Sequence, residues 1–266
     1  MPDEIAQRLD IDIVPLSIRF GDEEFTDRVD LTPSAFWAKC KKSKTLPETS
    51  APSPGAFQAA YQRAKADGCD GVIVLTLSAA LSATNQSAVL GADAVAGDIP
   101  VRVVDTKAVS MAQGLLAIEI AEQSKTGASL DELVSHAQEL TTKVGVCAML
   151  DTLEHLVKGG RVGGARALLG QVLSIKPLLE LKDGVVAEAG RQRTKAKALG
   201  AIVETVKTHA PLRRLALVHG DSSEVKALEA LAASISTEFE MIVADIGSVV
   251  GTHGGPGIIG LCWVEA

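Results

Sequence analysis

The run Gly71-Val-Ile-Val-Leu-Thr-Leu77 constrains this chain more than any other segment. It is apolar at almost every position, shows no alternation and is too short for a buried helix, so it reads as a strand covered on both faces. Val101 to Val104 repeats the pattern one helix-length later. Ile11 to Phe20 adds a strand, with Val14 held extended before Pro15. Helix starts fall between these runs. Thr32 before Pro33 and Ser53 before Pro54 pair an N-cap with a first-turn proline. Phe57, Tyr61 and Ala64 then recur at helical spacing, a further helix starts near Ser82, and Met111, Leu115 and Ile118 form one apolar stripe. Ser129 and Glu132 make a capping box for a helix ending near Lys143. Buried strands interleaved with helices predict an α/β lobe with a parallel, Rossmann-like sheet.

After Lys143 the texture changes. A strand over Val144 to Leu150 is followed by short helices over Thr152–Lys158 and Ala165–Leu173. Lys176 to Leu181 and Val185 to Ala189 flank Lys182-Asp183-Gly184, which predicts a hairpin. Two more helices surround a strand at Leu215 to Val218, and Met241–Ile246, a glycine-rich loop and Gly257–Val264 close the chain. Hairpins mixed with helices predict a mixed or antiparallel sheet, hence two domains, 1–142 and 143–266.

Hydrophobic residues make up 47% of the 266 and aromatics 3%, so the cores must be built from Ala, Val, Leu and Ile. A net charge of −7 argues against a phosphate-tracking surface, so no nucleic-acid partner is expected. Cysteines 40, 69, 147 and 262 form no C-x-x-C pair, a pattern of neither zinc site nor disulfide framework, and one suited to a reducing compartment. The polar opening segment lacks a secretory pattern, and Thr76, Ser78 and Ser82 interrupt the longest apolar stretch. The expectation is a cytoplasmic protein.

Three polar clusters could carry chemistry. Thr49-Ser50-Ala51-Pro52-Ser53-Pro54-Gly55 precedes a helix, and Ser78 to Ser87 leaves the carboxyl end of a buried strand. Hydroxyls of Thr49 and Ser82 beside free helix amides would suit a carboxylate or phosphate. The same residues serve equally well as helix caps. His253, set among glycines 247 to 257, is a candidate anion donor, proton carrier or turn residue. Arg191, Arg193, Lys195 and Lys197, with Arg161 and Arg166, form either a solvated face or a docking face for acidic partners or anionic headgroups.

Nine segments in order then resemble the DegV family: Val14-Pro15-Leu, Thr49 to Gly55, Leu81 to Ser87, Val104-Asp105-Thr106, Ser110-Met111, Leu150 to Leu153, Lys158-Gly159-Gly160-Arg161, Ile175-Lys176-Pro177 and His253 to Gly257. The resemblance implies a DegV-like, two-lobed, non-enzymatic fatty-acid-binding protein. Its ligand would be a long-chain fatty acid, with no other cofactor and no metal. It implies a fatty-acid kinase partner that phosphorylates the carboxylate, while transient membrane-surface contact is an expectation from the basic residues alone. Carried over residue by residue, it places carboxylate binding on Thr49, with Ser50 beside it, on Ser82 with the following Ala83, and on His253. It sets Arg191, Arg193 and Lys195 where the family has a basic segment; with Arg161 from the basic cluster these are the partner-docking candidates. Two departures stand out. The family's opening strand, ending Asp-Ser-Thr-Ala-Asp, is expected to be missing ahead of Met1-Pro2, and the family's glycine after the binding serine is Ala83. A serine esterase using Ser82 and His253 is the alternative, but Gly-x-Ser-x-Gly and a third triad member are lacking. Nucleotide-binding glycine motifs are lacking as well.

Overall fold

The computed structural model describes residues 1–169 and 175–266. The first half runs α1 (Asp3–Leu9), β1 (Ser17–Phe20), β2 (Glu23–Thr26), α2 (Pro33–Lys42), β3 (Glu48–Ser50), α3 (Pro54–Ala66), β4 (Val72–Thr76), α4 (Thr84–Asp93), β5 (Val101–Asp105), α5 (Met111–Ser124) and α6 (Leu130–Leu140). The second half runs β6 (Val144–Met149), α7 (Glu154–Lys158), a 3₁₀ turn (Gly163–Leu168), β7 (Lys176–Lys182), β8 (Val185–Gln192), α8 (Lys195–Lys207), β9 (Leu212–His219), α9 (Val225–Ala232), β10 (Ile242–Asp245), α10 (Ser248–Gly254) and β11 (Ile259–Glu265).

The architecture is α/β with a small parallel sheet and a larger mixed one. β4 and β5 pair in parallel, Val72 opposite Val101. The larger sheet has the order β10-β9-β11-β6-β7-β8, in which β10 and β9 are parallel and the other neighbours antiparallel. A third sheet, β2-β1-β3, is antiparallel throughout.

Local chemistry explains the ends of the elements. The Thr32 and Ser53 side chains accept from the amides of Ala35 and Ala56, each ahead of a first-turn proline. Ser129 and Glu132 form both bonds of the capping box. The β7–β8 turn has positive φ at Asp183 (51°) and Gly184 (79°), the backbone of a tight two-residue hairpin turn. On β4 the pleat sends Val72 and Val74 toward Phe57, Tyr61 and Ala88, and Ile73 and Leu75 toward the main core. That core is continuous across the two halves: Leu115, Leu116 and Leu140 pack with Ala148, Ala216 and Cys262.

Three expectations are corrected. The strand expected over Ile11 to Phe20 is confined to β1, because Pro15 cannot donate to a ladder. β4 is covered on both faces as expected, although it is half-buried over Val72 to Leu75, since β5 is its one strand neighbour among the described residues. The glycine-rich segment after Ile246 is helical: a Cβ on Gly251 would lie 2.9 Å from Phe36 and Trp37 ring atoms, so glycine lets α10 press against α2. The helix expected over Ala165 to Leu173 is a 3₁₀ turn to Leu168, and the remainder falls in part outside the described residues.

Candidate functional site

A cavity of ≈ 210 Å³ lies between the small-sheet half and the inner face of the large sheet. Its walls are apolar: Leu81 from the loop after β4, Val146 and Ala148 from β6, Leu179 from β7, Val186 from β8 and Val250 from α10. Thr49, Ser82, Ser110, Arg161, Glu180 and His253 break this lining, and Ala83, which is solvent-exposed, lies at its edge.

Each polar group is placed by its element. Thr49 sits on β3, opposite Ile18 of β1, and its Oγ1 lies 2.9 Å from His253 Nε2. His253 is near the end of α10 and reaches β3 across 204 residues of sequence. Its other nitrogen, Nδ1, is buried with no hydrogen-bond partner among the described residues. Burial lowers the His253 pKa to about 4, with the charge of Arg161 and then His155 adding to the effect. The imidazole is therefore neutral at pH 7. Arg161 Nε donates to the Leu81 carbonyl at 3.0 Å and its Nη1 donates to Gly159 O, which draws the guanidinium in beside His253 and the loop bearing Ser82. Ser82 Oγ lies 2.8 Å from Thr84 Oγ1 and accepts from the Thr84 amide at 3.3 Å, where α4 begins. Ala83 has φ −72° and ψ 3°, an ordinary backbone that a methyl group does not strain.

Thr49, Ser82, Ala83 and His253 thus meet at one cavity. Ser50 does not join them: the pleat of β3 turns it to the opposite face, where it is exposed. Arg161, expected on a docking face, lines the cavity. The Lys158-Gly159-Gly160-Arg161 spacing carried a signal for this, because paired glycines bring backbone close to another group. Lys195 is half-buried, 3.0 Å from Asp151, which Lys176 also contacts at 2.8 Å. Burial opposes the Asp151 charge, yet the two lysines outweigh it and hold the carboxyl below its ordinary range. Arg191 and Arg193 are exposed, and Arg191 lies 4.0 Å from Glu188. Sequence reasoning assigned no role to Ser110, which lines the cavity with φ 58° and ψ −138°, a strained backbone for a residue with a side chain. The esterase arrangement is not formed: His253 Nε2 is engaged by Thr49, and Ser82 Oγ by Thr84.

No group of three His, Cys, Asp or Glu among the described residues could hold a metal ion. No described helix is long and apolar enough to cross a membrane.

Fold and site together define a class: a mixed α/β protein enclosing an apolar cavity with hydroxyl, imidazole and guanidinium groups gathered beside it. The family model described as "Uncharacterised protein, DegV family" matches residues 1–266, and the chain belongs to the DegV family. Protein DegV of Bacillus subtilis is 33% identical over 270 residues, covering 99% of this chain and 95% of that protein. Among solved structures, a fatty-acid-binding DegV family protein from Thermus thermophilus superposes with a TM-score of 0.92 at 34% identity, covering 100% of this chain and 96% of that one. DegV from Bacillus subtilis, described as a fatty acid binding protein, superposes with a TM-score of 0.89 at 31% identity, covering 99% and 95%.

Proposed function

We propose that this protein binds one long-chain fatty acid without turning it over, burying the acyl chain in the cavity and holding the carboxylate at Thr49, Ser82, the Ala83 edge, His253 and Arg161. The single observation behind this reading is an apolar cavity with its hydroxyls, imidazole and guanidinium beside one another. A carboxylate leaving water needs several donors, because an unpaired buried charge is very costly. At ~0.8 kcal/mol per buried methylene, a chain of about 14 to 18 carbons contributes roughly 10 kcal/mol before ordering costs.

In this reading residues 1–142 and 143–266 act as two lobes, and the cavity takes side chains from both. The protein works in the cytoplasm, takes up its ligand through transient contact with a membrane surface and presents the carboxylate, past exposed Ala83, to a fatty-acid kinase. Arg191 and Arg193 belong to the docking face. The test is organic extraction of purified protein followed by mass spectrometry. Wild type yields a stoichiometric fatty acid, and the Thr49→Ala/Ser82→Ala double variant loses it. Undiminished fatty acid in the double variant sinks the assignment.

A further inference from the structure

Lys158-Gly159-Gly160-Arg161 has no role in holding the ligand beyond Arg161, yet its first glycine touches the most unusual group of the site. A Cβ on Gly159 would overlap His253 Nδ1 and come 3.1 Å from the His155 carbonyl. The φ of Gly159 is −73°, which any residue adopts, so the close approach to the ring, and not backbone conformation, calls for glycine here. Its bare Cα seals the Nδ1 edge of the imidazole from water and from hydrogen-bonding partners.

A neutral imidazole carries one proton on one of two nitrogens. With the proton on Nδ1, an N–H donor would be stranded in that sealed contact, the costlier kind of orphan. It would also face the positive field of Arg161, whose Nη1 grips the carbonyl of the same Gly159. With the proton on Nε2, only a lone pair is buried there, in a field that favours it, and Nε2–H donates to Thr49 Oγ1 over the 2.9 Å contact. The Thr49 hydroxyl, having accepted, is left with its hydrogen to give. The other groups facing the ring do not alter the comparison. His155 has its Nδ1 2.9 Å from the Thr252 carbonyl, which can only accept, so that contact fixes the His155 proton on Nδ1.

The geometry points to His253 as a positioning residue: Gly159 and Arg161 hold its imidazole in the Nε2–H form, which turns the Thr49 hydroxyl hydrogen toward the ligand carboxylate. This rests on the proposed function and adds that His253 acts through Thr49. It also gives the Lys-Gly-Gly-Arg segment a function: Gly159 excludes partners from Nδ1 while Arg161 biases the proton to the far side of the ring.

The experiment uses the full chain, labelled with ¹⁵N at histidine and loaded with palmitic acid. Long-range ¹⁵N–¹H correlation at pH 7 should show the His253 proton on Nε2 and a bare Nδ1. A proton on Nδ1, or on both nitrogens, overturns the inference even with palmitate bound. Palmitate affinity gives the second readout. His253→Gln, whose amide can donate from nearly the Nε2 position, should hold palmitate close to the wild-type level, whereas His253→Leu and Gly159→Ala should each weaken it about tenfold. Wild-type affinity in His253→Leu also overturns it. If the wild-type protein takes up no palmitate at all, the functional reading itself fails, whichever tautomer is seen.

Discussion

Ser78 Oγ donates to the Gly184 carbonyl at 2.7 Å, tying the loop after β4 to the tip of the β7–β8 hairpin. Ser78 is 1% exposed, and its Oγ also accepts from the Ala80 amide at 3.2 Å. A Cβ on Gly184 would overlap that hydroxyl, so glycine supplies both the left-handed turn and the room for the bond. Ser82 stands on the same loop, and its position is therefore referred to the second half of the chain. Ser78→Ala should cost about 1–2 kcal/mol in urea unfolding and reduce fatty-acid retention without touching the cavity. Unchanged stability would show that the tie is not formed in solution.

Arg161 is the one Lys or Arg among the described residues that line the cavity. Arg161→Met keeps much of the side-chain volume but removes the charge and the bond to Leu81. Palmitate affinity should fall about tenfold or more, with Arg161→Lys in between, as measured by fluorescence competition. Equal affinities in all three proteins would return Arg161 to a purely structural role.

The neutral, buried His253 links stability to pH. Its folded pKa of about 4 lies below the ordinary value of 6.5, so between these values the unfolded chain binds a proton that the folded one refuses. Stability contributed by this group is complete above pH 6.5 and declines as pH falls toward 4, by up to about 3 kcal/mol. Urea titrations of wild type and His253→Gln across that window should differ by this slope; parallel curves would contradict it.

Ala148 of β6 lines the cavity and is 8% exposed. Ala148→Leu places three more carbons where the acyl chain would lie. Mass spectrometry of co-purifying lipid should shift toward shorter chains, with a stability change within about 1–3 kcal/mol. An unaltered chain-length profile would place the tail elsewhere.

Arg193 is exposed and away from the cavity lining. Arg193→Glu should leave fatty-acid content intact while slowing acyl-phosphate formation by a partner kinase about tenfold, most at low salt. Normal formation would remove this residue from the docking face.

Much of this molecule is local and so could be read from the chain alone. Caps at Thr32, Ser53 and Ser129, the Asp183–Gly184 turn and the apolar runs of β4, β5 and β6 act through neighbours within a few residues, and they emerged where expected. The order of the motifs likewise named the family. What only tertiary structure decided depends on contacts between distant segments. α10 is rich in glycine and reads as a loop, yet it is helical because Gly251 admits the rings of α2. Thr49 reads as a helix-start hydroxyl, yet a three-residue strand paired with β1 turns it to His253 and turns Ser50 away. Arg161 and Lys195 read alike as surface charge, yet one lines the cavity and the other is engaged by Asp151. Hydrogen-bond partners 44 to 204 residues apart are set by how sheets and helices close on one another, and residue type in one linear stretch does not encode that closure.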